Sequence, residues 1–469
     1  MKQHLLTILL LSGITAAQAV TTVNVTAGSL DALLTDVAAD ETALVLTGTL
    51  DITDLRSIAA LPQRLPAVRS VDMTDAVIVS SRLSEGDYLG YTYLPALELP
   101  PYIFANVPFT TIALPATLSA IGEGALAGAA ITSAAIPAGV AKIGDFAFYG
   151  CPALREVKAG NKLTAVGKGT FANCTALVSA DFGATAITEL PERVFAGCSA
   201  LESLPLPSSL LTVGPEAFAG TAITSLSLSA VRQLAPFSLS NMPATEAVTL
   251  SSSAEQGEGA LAGSTALTRL QGAPADLPDA YAAGCASLNP YDFLRESVSI
   301  GESAIAGTKA DMLLLSGSLL SVGRGAFEGI SGLTAIDASA LGARIPSTPD
   351  GAFDNVPQDE IYLIVAPGEK ETWSSHPQWG AFRVIDSTET GASAPVDADR
   401  IRISASGRAI TVSAPDPIRQ IMLVTTDGRV LCNVAPQLTE CTLVAPQEEI
   451  VIIRAVTDRG IRTARLLLR

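Results

Sequence analysis

Histidine is nearly absent from this sequence of 469 residues, which contains only His4 and His376. Catalysis by a serine or cysteine nucleophile requires a base that is most often histidine. His4 lies in an amino-terminal segment with the pattern of a cleaved signal, so such a mechanism would depend on His376 alone. His376 stands in SSHPQWG near the end of a repeat array, where a surface position in a cap is expected. The sequence therefore predicts a protein that is not an enzyme.

Long hydrophobic runs are also absent. The run Leu5–Leu11 follows Lys2 and precedes the small-residue pattern Ala17-Gln18-Ala19. It is far shorter than the roughly 20 residues of a membrane span, and it has the layout of a secretory signal. We therefore expect residues 1–19 to be a signal peptide cleaved near Ala19. The mature protein is then secreted or displayed on the bacterial outer cell surface, with no membrane span.

Basic residues are few, since 29 Lys and Arg stand against 46 Asp and Glu, a net charge of −17. Nucleic acids and anionic membranes attract basic surfaces, so neither is an expected partner. The glycine-rich tracts at Gly122, Gly257 and Gly323 lack the spacing of a nucleotide fingerprint, and they recur in phase with a repeat. No cofactor is predicted.

A repeat dominates the middle of the chain. Aligned on a recurring phenylalanine and the small residue after it, eleven units follow one another at spacings of 21 to 24 residues. A period in this range is typical of a solenoid of the leucine-rich-repeat type. The units begin at Phe109, Ile131, Leu154, Leu177, Leu201, Ile223, Thr245, Leu267, Leu288, Asp311 and Leu333.

Each unit predicts one coil. In Thr111–Leu114, alternation places Ile112 and Leu114 on one face of a short strand, which Pro115 ends. The return side carries a small residue before a bulky one, and stacking these pairs predicts an aromatic spine of Phe148, Phe171, Phe195, Phe218, Phe327 and Phe353. No coil can bury its apolar face alone, so neighbours share one core. The fold expected is a repeat solenoid with short parallel strands and irregular or helical return segments.

The period fails at both ends of the array. Residues 20–93 predict strand, helix and strand with a surface loop, as an amino-terminal cap, and residues 94–385 form the solenoid with its closing cap. Small polar residues with proline make 386–400 a linker. Residues 401–469 alternate plainly around the turn dipeptides Asp427-Gly428 and Arg459-Gly460, which predicts a small β-sandwich.

Cysteine falls into two groups. One repeat position holds Cys151, Cys174, Cys198 and Cys285. No C-x-x-C pair or added histidine accompanies them, so no metal site is predicted. Parallel side chains of adjacent coils have poor geometry for disulfides, which predicts a ladder of buried free thiols. Cys432 and Cys441 lie in adjoining strands of a secreted sandwich and are a candidate disulfide.

The repeat motif itself resembles a known family. The pattern L-x-x-I-x-L-P…L-x-x-I-G-x-x-A-F-x-G-C, as in Leu154–Cys174, resembles the BspA-like, or treponemal-type, leucine-rich repeat of bacterial surface proteins. The resemblance covers Leu94–Ile385, and it implies a right-handed solenoid and a role as a surface adhesin. Residues 401–469 are similar in layout to the carboxy-terminal sorting domain of the Bacteroidetes type IX secretion system, without its usual proline-containing entry at Ile401.

The outward strand positions are the candidate binding surface. They are mostly small or polar, and include Thr111, Ser133, Lys158, Asp181, Ser203, Ser225, Thr249 and Arg269. Such a face offers weak contacts that repetition makes useful. Carboxylates at turn positions, Glu123, Asp145, Glu216 and Glu328, predict a solvated acidic edge.

Together these features predict a monomeric, non-enzymatic protein that mediates macromolecular interaction or adhesion through its solenoid surface. Its partners would be protein or glycan ligands of host matrix or of other bacteria. The alternative is a surface or periplasmic glycan-binding or scaffold protein for nutrient uptake. Glycan platforms usually present aromatic faces, and outward aromatic residues are scarce, which disfavours that alternative.

Overall fold

The computed structural model of the protein describes residues 20–84, 87–387, 402–406, 409–414, 417–425, 430–445, 450–457 and 460–467. The predicted signal peptide, residues 388–400 of the linker, Asp427-Gly428 and Arg459 lie outside the described residues. The fold is a parallel β-solenoid of about 16 turns, which confirms the predicted class, and antiparallel sheets follow it. The chain forms two compact units. One contains the described residues up to Ala273 with Tyr281–Ser287, and the other contains Pro274–Ala280 with those from Leu288.

The first unit opens with the predicted strands and helices of residues 20–93. One parallel sheet contains Val20–Val25, Ala43–Leu50, Ser70–Asp72, Ala76–Ile78 and the first repeat strand, Thr111–Ala113. The intervening helical segments are Leu30–Leu33, Leu34–Asp36, Ile52–Ala59 and Leu61–Arg64. Ser70 pairs with Thr111 in register. The amino-terminal segment therefore extends the parallel stacking beyond the periodic units.

The buried carboxylate of Asp54 fixes this opening segment. Asp51 caps the helix Ile52–Ala59, and Asp54 completes the capping box by accepting the backbone N–H of Asp51 at 3.0 Å. The same carboxylate accepts the N–H groups of Gly28 at 2.7 Å and Leu30 at 2.9 Å. A charge that is 1 % exposed is tolerated because these donors replace its water shell.

Most coils of the first unit have two strand positions, and at Ser203 the first is reduced to an isolated bridge. At the first position, one sheet contains Ser133–Ala135, Glu156–Lys158 and Ser179–Asp181, and another contains Ser225–Leu228, Ala247–Leu250 and Arg269–Gln271. At the second, one sheet contains Glu98–Leu99, Ala120–Ile121, Lys142–Ile143 and Ala165–Val166, and another contains Glu189–Leu190, Thr212–Val213, Gln233–Leu234 and Glu255–Gln256. A strand of two residues is too short to show alternation of apolar and polar residues, so the sequence predicts only the first strand position. A short hairpin, Ser81–Arg82 with Tyr93–Leu94, joins the two ends of the surface loop predicted at residues 80–93.

The return side of each coil is a wall of turns. Phe146, Phe148 and Gly150 donate their N–H groups to the next coil at 2.8, 2.9 and 2.8 Å. The N–H of Tyr149 closes a turn within its own coil, on the carbonyl of Phe146 at 3.0 Å. Because these backbone groups are paired, an irregular segment can cover the core.

The predicted aromatic spine is confirmed. Ring centroids are 5.3 Å apart for Phe148 and Phe171, 5.6 Å for Phe171 and Phe195, and 6.4 Å for Phe195 and Phe218. The first two pairs are stacked, with interplanar angles of 14° and 8°. All four side chains have no exposed surface, so they form the continuous core of successive coils.

The second unit continues the same coil plan. Its solenoid strands are Asp276–Leu277, Ser299–Ile300 and Ser321–Val322 in one sheet, and Met312–Leu314, Ala335–Asp337, Tyr362–Val365 and Arg383–Asp386 in another. Helical segments are Tyr291–Leu294, Ser339–Leu341, Gln358–Glu360, Lys370–Ser374 and Trp379–Ala381. Trp379 meets the spine residue Phe353 edge-on, with ring centroids 4.7 Å apart, and Trp373 packs on Trp379 at 5.4 Å. Both indoles are buried and thereby close the end of this core.

The carboxy-terminal residues form two antiparallel sheets. One contains Arg402–Ser406, Ala409–Ser413 and Glu440–Val444, and the other contains Ile418–Thr425, Val430–Val434, Ile450–Thr457 and Gly460–Leu467. Buried residues of both sheets, among them Ile410, Val412, Ile421 and Ile453, share one hydrophobic cluster. This is the predicted small β-sandwich.

Candidate functional site

The eight outward residues proposed from the sequence lie on the first strand position or beside it. Five are exposed to solvent on strands of the first unit, namely Thr111, Ser133, Lys158, Ser225 and Arg269, and Ser203, on an isolated bridge, is exposed as well. Asp181 and Thr249 are half-buried. We call this surface the strand face.

Pairing register divides the strand face into rows. Ser133 lies opposite Glu156, whereas Lys158 lies opposite Asp181, one row further along the strand. Similarly, Ser225 and Arg269 flank Ala247 in one row, and Thr249 belongs to the next. The structure thus places the predicted residues on three sheets and one isolated bridge, in adjacent rows rather than in one line.

The return wall has two backbone positions in the left-handed region in every coil, four residues apart. In the first unit the second position contains only glycine or asparagine, namely Asn106, Gly128, Gly150, Asn173, Gly197, Gly220, Asn241, Gly263 and Gly284, with φ from 52° to 76°. These are the residues that adopt this conformation readily. The propensity of the sequence therefore accounts for this position.

The first left-handed position contains large side chains that propensity does not explain. It holds Tyr102, Gly124, Phe146, Gly169, Arg193, Glu216, Phe237 and Gly259, with φ from 51° to 57°. A side chain in this region costs about 1–2 kcal/mol. The rings of Tyr102 and Phe146 nevertheless stand there, 43 % and 42 % exposed.

Glycine in the following coil makes room for each of these rings. A Cβ added to Gly169 would come within 2.6 Å of Cε1 of Phe146, and one added to Gly124 within 2.2 Å of Cε1 of Tyr102. The rings therefore lie against glycine backbone, which fixes their positions. The hydroxyl of Tyr102 also donates to the carboxylate of Glu123.

Tyr102, Phe146 and Gly169 line a groove of about 730 Å³ on the return wall of the first unit, and we call it the return groove. Its aromatic side chains are Tyr102, Phe146 and Tyr149, and its polar side chains are Asn173, Arg193 and Glu216. Alanines and glycines, such as Ala172 and Gly197, form the floor. Sequence reasoning about the strands missed this site. A signal was present in the alternation of aromatic residue and glycine at one repeat position.

Polar contacts organise the open side of the return groove. Asn173 donates Nδ2 to the hydroxyl of Tyr149 at 3.0 Å, and Arg193 donates Nε to a carboxylate oxygen of Glu216 at 2.8 Å. The side chains of Arg193 and Glu216 remain 58 % and 41 % exposed. As an exposed ion pair, this contact contributes at most about 1 kcal/mol to folding.

The acidic turn residues are dispersed. Glu123 and Asp145 are exposed, while Glu216 and Glu328 are half-buried. Within the described ranges, no cluster of three or more histidine, cysteine or acidic side chains has metal-binding geometry. The same residues contain no helix long and apolar enough to span a membrane.

The cysteine ladder is confirmed as a set of buried free thiols. The Sγ of Cys151, Cys174 and Cys198 donates to a carbonyl of the preceding coil at 3.1, 3.0 and 3.1 Å. Cys285 makes the same contact at 3.2 Å, and burial raises its pKa to about 12. Burial also raises the pKa of Cys198. The hydrogen bonds of these buried thiols to the preceding coil therefore serve the packing of the coils.

Cys432 and Cys441 occupy different sheets of the sandwich, on Val430–Val434 and Glu440–Val444. Both are unbridged and half-buried at the edge of the hydrophobic cluster. Burial, and then the neighbouring Cys441, raise the pKa of Cys432. A disulfide between them stays a prediction.

The remaining histidine is committed to local structure. Nδ1 of His376 accepts the backbone N–H of Gln378 at 3.3 Å and of Trp379 at 3.4 Å. These bonds shape the turn that carries the buried indole of Trp379. His376 thus stabilises the end of the solenoid.

Within the second unit, the sandwich contacts the last solenoid strands. Asn433 donates Nδ2 to the carboxylate of Asp311 at 2.8 Å, and Nη1 of Arg454 lies 3.2 Å from Sδ of Met312. Arg454 is 6 % exposed, and burial lowers its pKa while Asp337 and Tyr362 act in the opposite direction. A buried guanidinium of this kind ties the two surfaces together.

Comparison with known proteins fits this coil plan. The family described as BspA type leucine-rich repeat region matches residues 97–224, 184–272 and 278–365 in six copies, which together cover more than half of the chain. The chain belongs to the BspA-type leucine-rich-repeat family. Proteins of this family are typically non-enzymatic, and leucine-rich-repeat proteins generally bind proteins. No curated protein sequence matches this BspA-type chain significantly.

Solved structures of other repeat proteins are similar to this BspA-type protein. A leucine-rich repeat protein from Bacteroides ovatus is 18 % identical, with a TM-score of 0.53 over 74 % of this chain and 83 % of its own. A leucine rich cell surface protein from Faecalibacterium prausnitzii is 16 % identical, with a TM-score of 0.29 over 63 % and 88 %. The pneumococcal vaccine antigen PcpA is 12 % identical, with a TM-score of 0.29 over 79 % and 84 %. At these identities the first likeness shows the fold alone.

Proposed function

We propose that this BspA-type protein is a non-enzymatic surface protein that binds macromolecules along its strand face. The observation that supports this most is the solvent-exposed array of small and charged side chains at the first strand position, repeated from coil to coil. Single contacts on such a face are weak, and a ligand that spans several coils gains affinity from their number. The ligands in view are protein or glycan surfaces of host matrix or of other bacteria.

Three observations support a role without catalysis. Nδ1 of His376 accepts backbone N–H groups, the ladder thiols are buried in the core, and the acidic turn residues are spread over separate coils. Enzymes bring a nucleophile, a base and an oxyanion donor within hydrogen-bond reach. His376 and the ladder thiols lie in positions already used for turn formation or packing.

Charge reversal on the strand face tests this proposal. The purified protein and the double variant Lys158→Glu with Arg269→Glu are titrated over immobilised host matrix proteins and bacterial surface glycans. We expect the variant to lose binding while its thermal unfolding is unchanged. The matched control is Lys142→Glu, an exposed lysine on the second strand position. Binding that is equal in all three proteins would remove the strand face from the proposal.

We further propose that the protein acts outside the cell, after removal of residues 1–19, and that residues 401–469 direct its export. The layout of the sandwich, similar to a type IX sorting domain, supports this role. A chain without residues 401–469 should accumulate in the periplasm, while the intact chain reaches the surface or the medium. Equal amounts of both forms outside the cell would contradict the export role. The sandwich would then be an accessory that covers Met312.

A further inference from the structure

Three exposed aromatic side chains meet in the return groove, whereas Tyr91, Tyr93 and Phe237 are exposed elsewhere on the described surface. Aromatic residues make up 5 % of the chain, and the spine buries many of them. Tyr102, Phe146 and Tyr149 stay 42–43 % exposed in a single groove. Lone exposed apolar residues need no explanation, but three that converge on one groove mark a binding site.

Folding does not account for the rings at the first left-handed position. Neighbouring coils use glycine there, at Gly124 and Gly169, and glycine avoids the strain that Tyr102 and Phe146 bear. Neither ring joins the buried spine. Phe237 bears the same strain outside the groove lining, so it is the convergence of Tyr102 and Phe146 on one groove, and not the strain by itself, that points to a ligand.

The chemistry of the groove selects its ligand. Phe146 and Tyr149 stand at 83° to one another with centroids 5.9 Å apart, and they present apolar faces of different orientation. Asn173, Arg193 and Glu216 supply both donors and acceptors at the same groove. A sugar ring combines an apolar C–H face with hydroxyl groups that both donate and accept, and therefore matches both sets.

Two other ligand classes match less well. A phosphate or another anion would need an unpaired cation, but Arg193 is paired with Glu216 at 2.8 Å and the protein carries a net charge of −17. A peptide that binds by adding a strand needs unpaired backbone groups. In the return wall, alternate N–H groups such as those of Phe146 and Gly150 are already bonded to the next coil.

We propose that the return groove binds a neutral, linear oligosaccharide. Its sugar rings stack on Tyr102, Phe146 and Tyr149, while Asn173, Arg193 and Glu216 pair with its hydroxyl groups. The lining residues come from six successive coils, so at about 4.8 Å per coil the groove accommodates several sugar units in line. The inference rests on the interaction function proposed above, and it adds a second surface with a defined ligand class.

Calorimetric titration of the full-length protein tests the proposal, with cellohexaose, laminarihexaose, maltohexaose and chitohexaose as probes and heparin as the charged comparison. We expect saturable binding of at least one neutral hexasaccharide. Phe146→Gly should weaken it about tenfold or more, as loss of one stacking surface does. Tyr149→Ala should weaken it similarly.

Phe237→Gly is the matched control. Phe237 has the same left-handed backbone, with φ 56°, stands 37 % exposed beside Gly259, and lies outside the groove lining. Its substitution should leave the affinity unchanged. Both glycine variants replace a strained residue by one that neighbouring coils carry, so both should fold, and thermal unfolding verifies this.

The outcomes separate the two proposals. If the protein binds matrix proteins or bacterial glycans through Lys158 and Arg269 but no neutral hexasaccharide, the groove proposal is wrong and the strand-face proposal stands. Equal hexasaccharide affinity of Phe146→Gly and the parent protein also overturns the groove. Should a matrix-derived peptide be the ligand that Phe146→Gly weakens, the ligand class is wrong.

Discussion

The strand face and the return wall belong to the same coils, yet they use side chains in opposite ways. Outward strand positions carry small or charged residues such as Ser133 and Lys158, on regular parallel strands. The return wall carries exposed aromatic rings such as Phe146 on left-handed backbone. A parallel strand accepts almost any outward residue without strain, whereas the first left-handed position of the return wall penalises a bulky side chain such as that of Phe146. A bulky residue on the return wall is therefore the more informative of the two.

The largest effect is expected when the buried ring of a coil is removed instead of the exposed one. Phe148 is fully buried and stacks on Phe171, and Phe148→Ala should lower the free energy of unfolding by about 3–5 kcal/mol. Chemical denaturation measures this. Phe218→Ala should behave alike, and unchanged stability of both would show that the spine does not carry the core.

At high pH, the free energy of unfolding should depend on the buried thiol ladder and not on the exposed faces. The pKa of Cys285 rises from 9.0 to about 12 on folding, so the folded state holds its proton more tightly. The contribution of this thiol to the free energy of unfolding is complete below pH 9. It is lost between pH 9 and 12, at up to about 1.4 kcal/mol per pH unit.

Cys285→Ser provides the comparison for this pH dependence. Ser264 occupies the equivalent position and donates to Leu239 at 3.1 Å, so serine is compatible with the coil. The variant should unfold with a weaker dependence on pH above 9 than the parent protein. If the free energy of unfolding falls equally with pH in the variant and in the parent protein, the buried thiol does not control stability at alkaline pH. Native Cys151, Cys174 and Cys198 should likewise resist alkylation until the protein is denatured.

Exchange of the exposed ring should have a small effect on stability. In Phe146→Gly, relief of the left-handed strain is offset by the lost contact with Gly169 and by the greater chain entropy of glycine. We expect the free energy of unfolding to change by less than about 1 kcal/mol. A loss as large as that of Phe148→Ala would mean that Phe146 belongs to the core, and the contrast between the two rings would disappear.

The smallest effect is expected on the strand face. Ser225→Ala and Thr249→Ala remove hydroxyl groups at outward positions, and surface changes of this kind stay within about 0.5 kcal/mol. Thermal unfolding measures them beside Phe146→Gly. A clear destabilisation would show that outward hydroxyl groups support the stacking of coils as well as facing a ligand.

Much of the fold could be predicted because its causes are local and repeated. Three signals recur from unit to unit: the spacing of 21 to 24 residues, a strand like Thr111–Leu114, and a phenylalanine after a small residue. Each predicted element is therefore supported by many units and not by one. The thiol ladder was predictable for the same reason. The two-residue strands such as Lys142–Ile143 were not, because pairing with the neighbouring coil creates them.

The sequence by itself determined the period, the parallel strands, the spine and the free thiols, since each follows from which residues are apolar and how often they return. Only the tertiary structure decided where the exposed aromatic residues meet. Tyr102 and Phe146 share a repeat position, but the coil between them carries Gly124 there, and Tyr149 belongs to another repeat position. Along the chain the three therefore look like scattered large residues. Left-handed backbone turns two of them outward, glycine in the next coil makes room for their rings, and stacking brings them to one groove. That convergence depends on contacts between coils, which no single repeat contains.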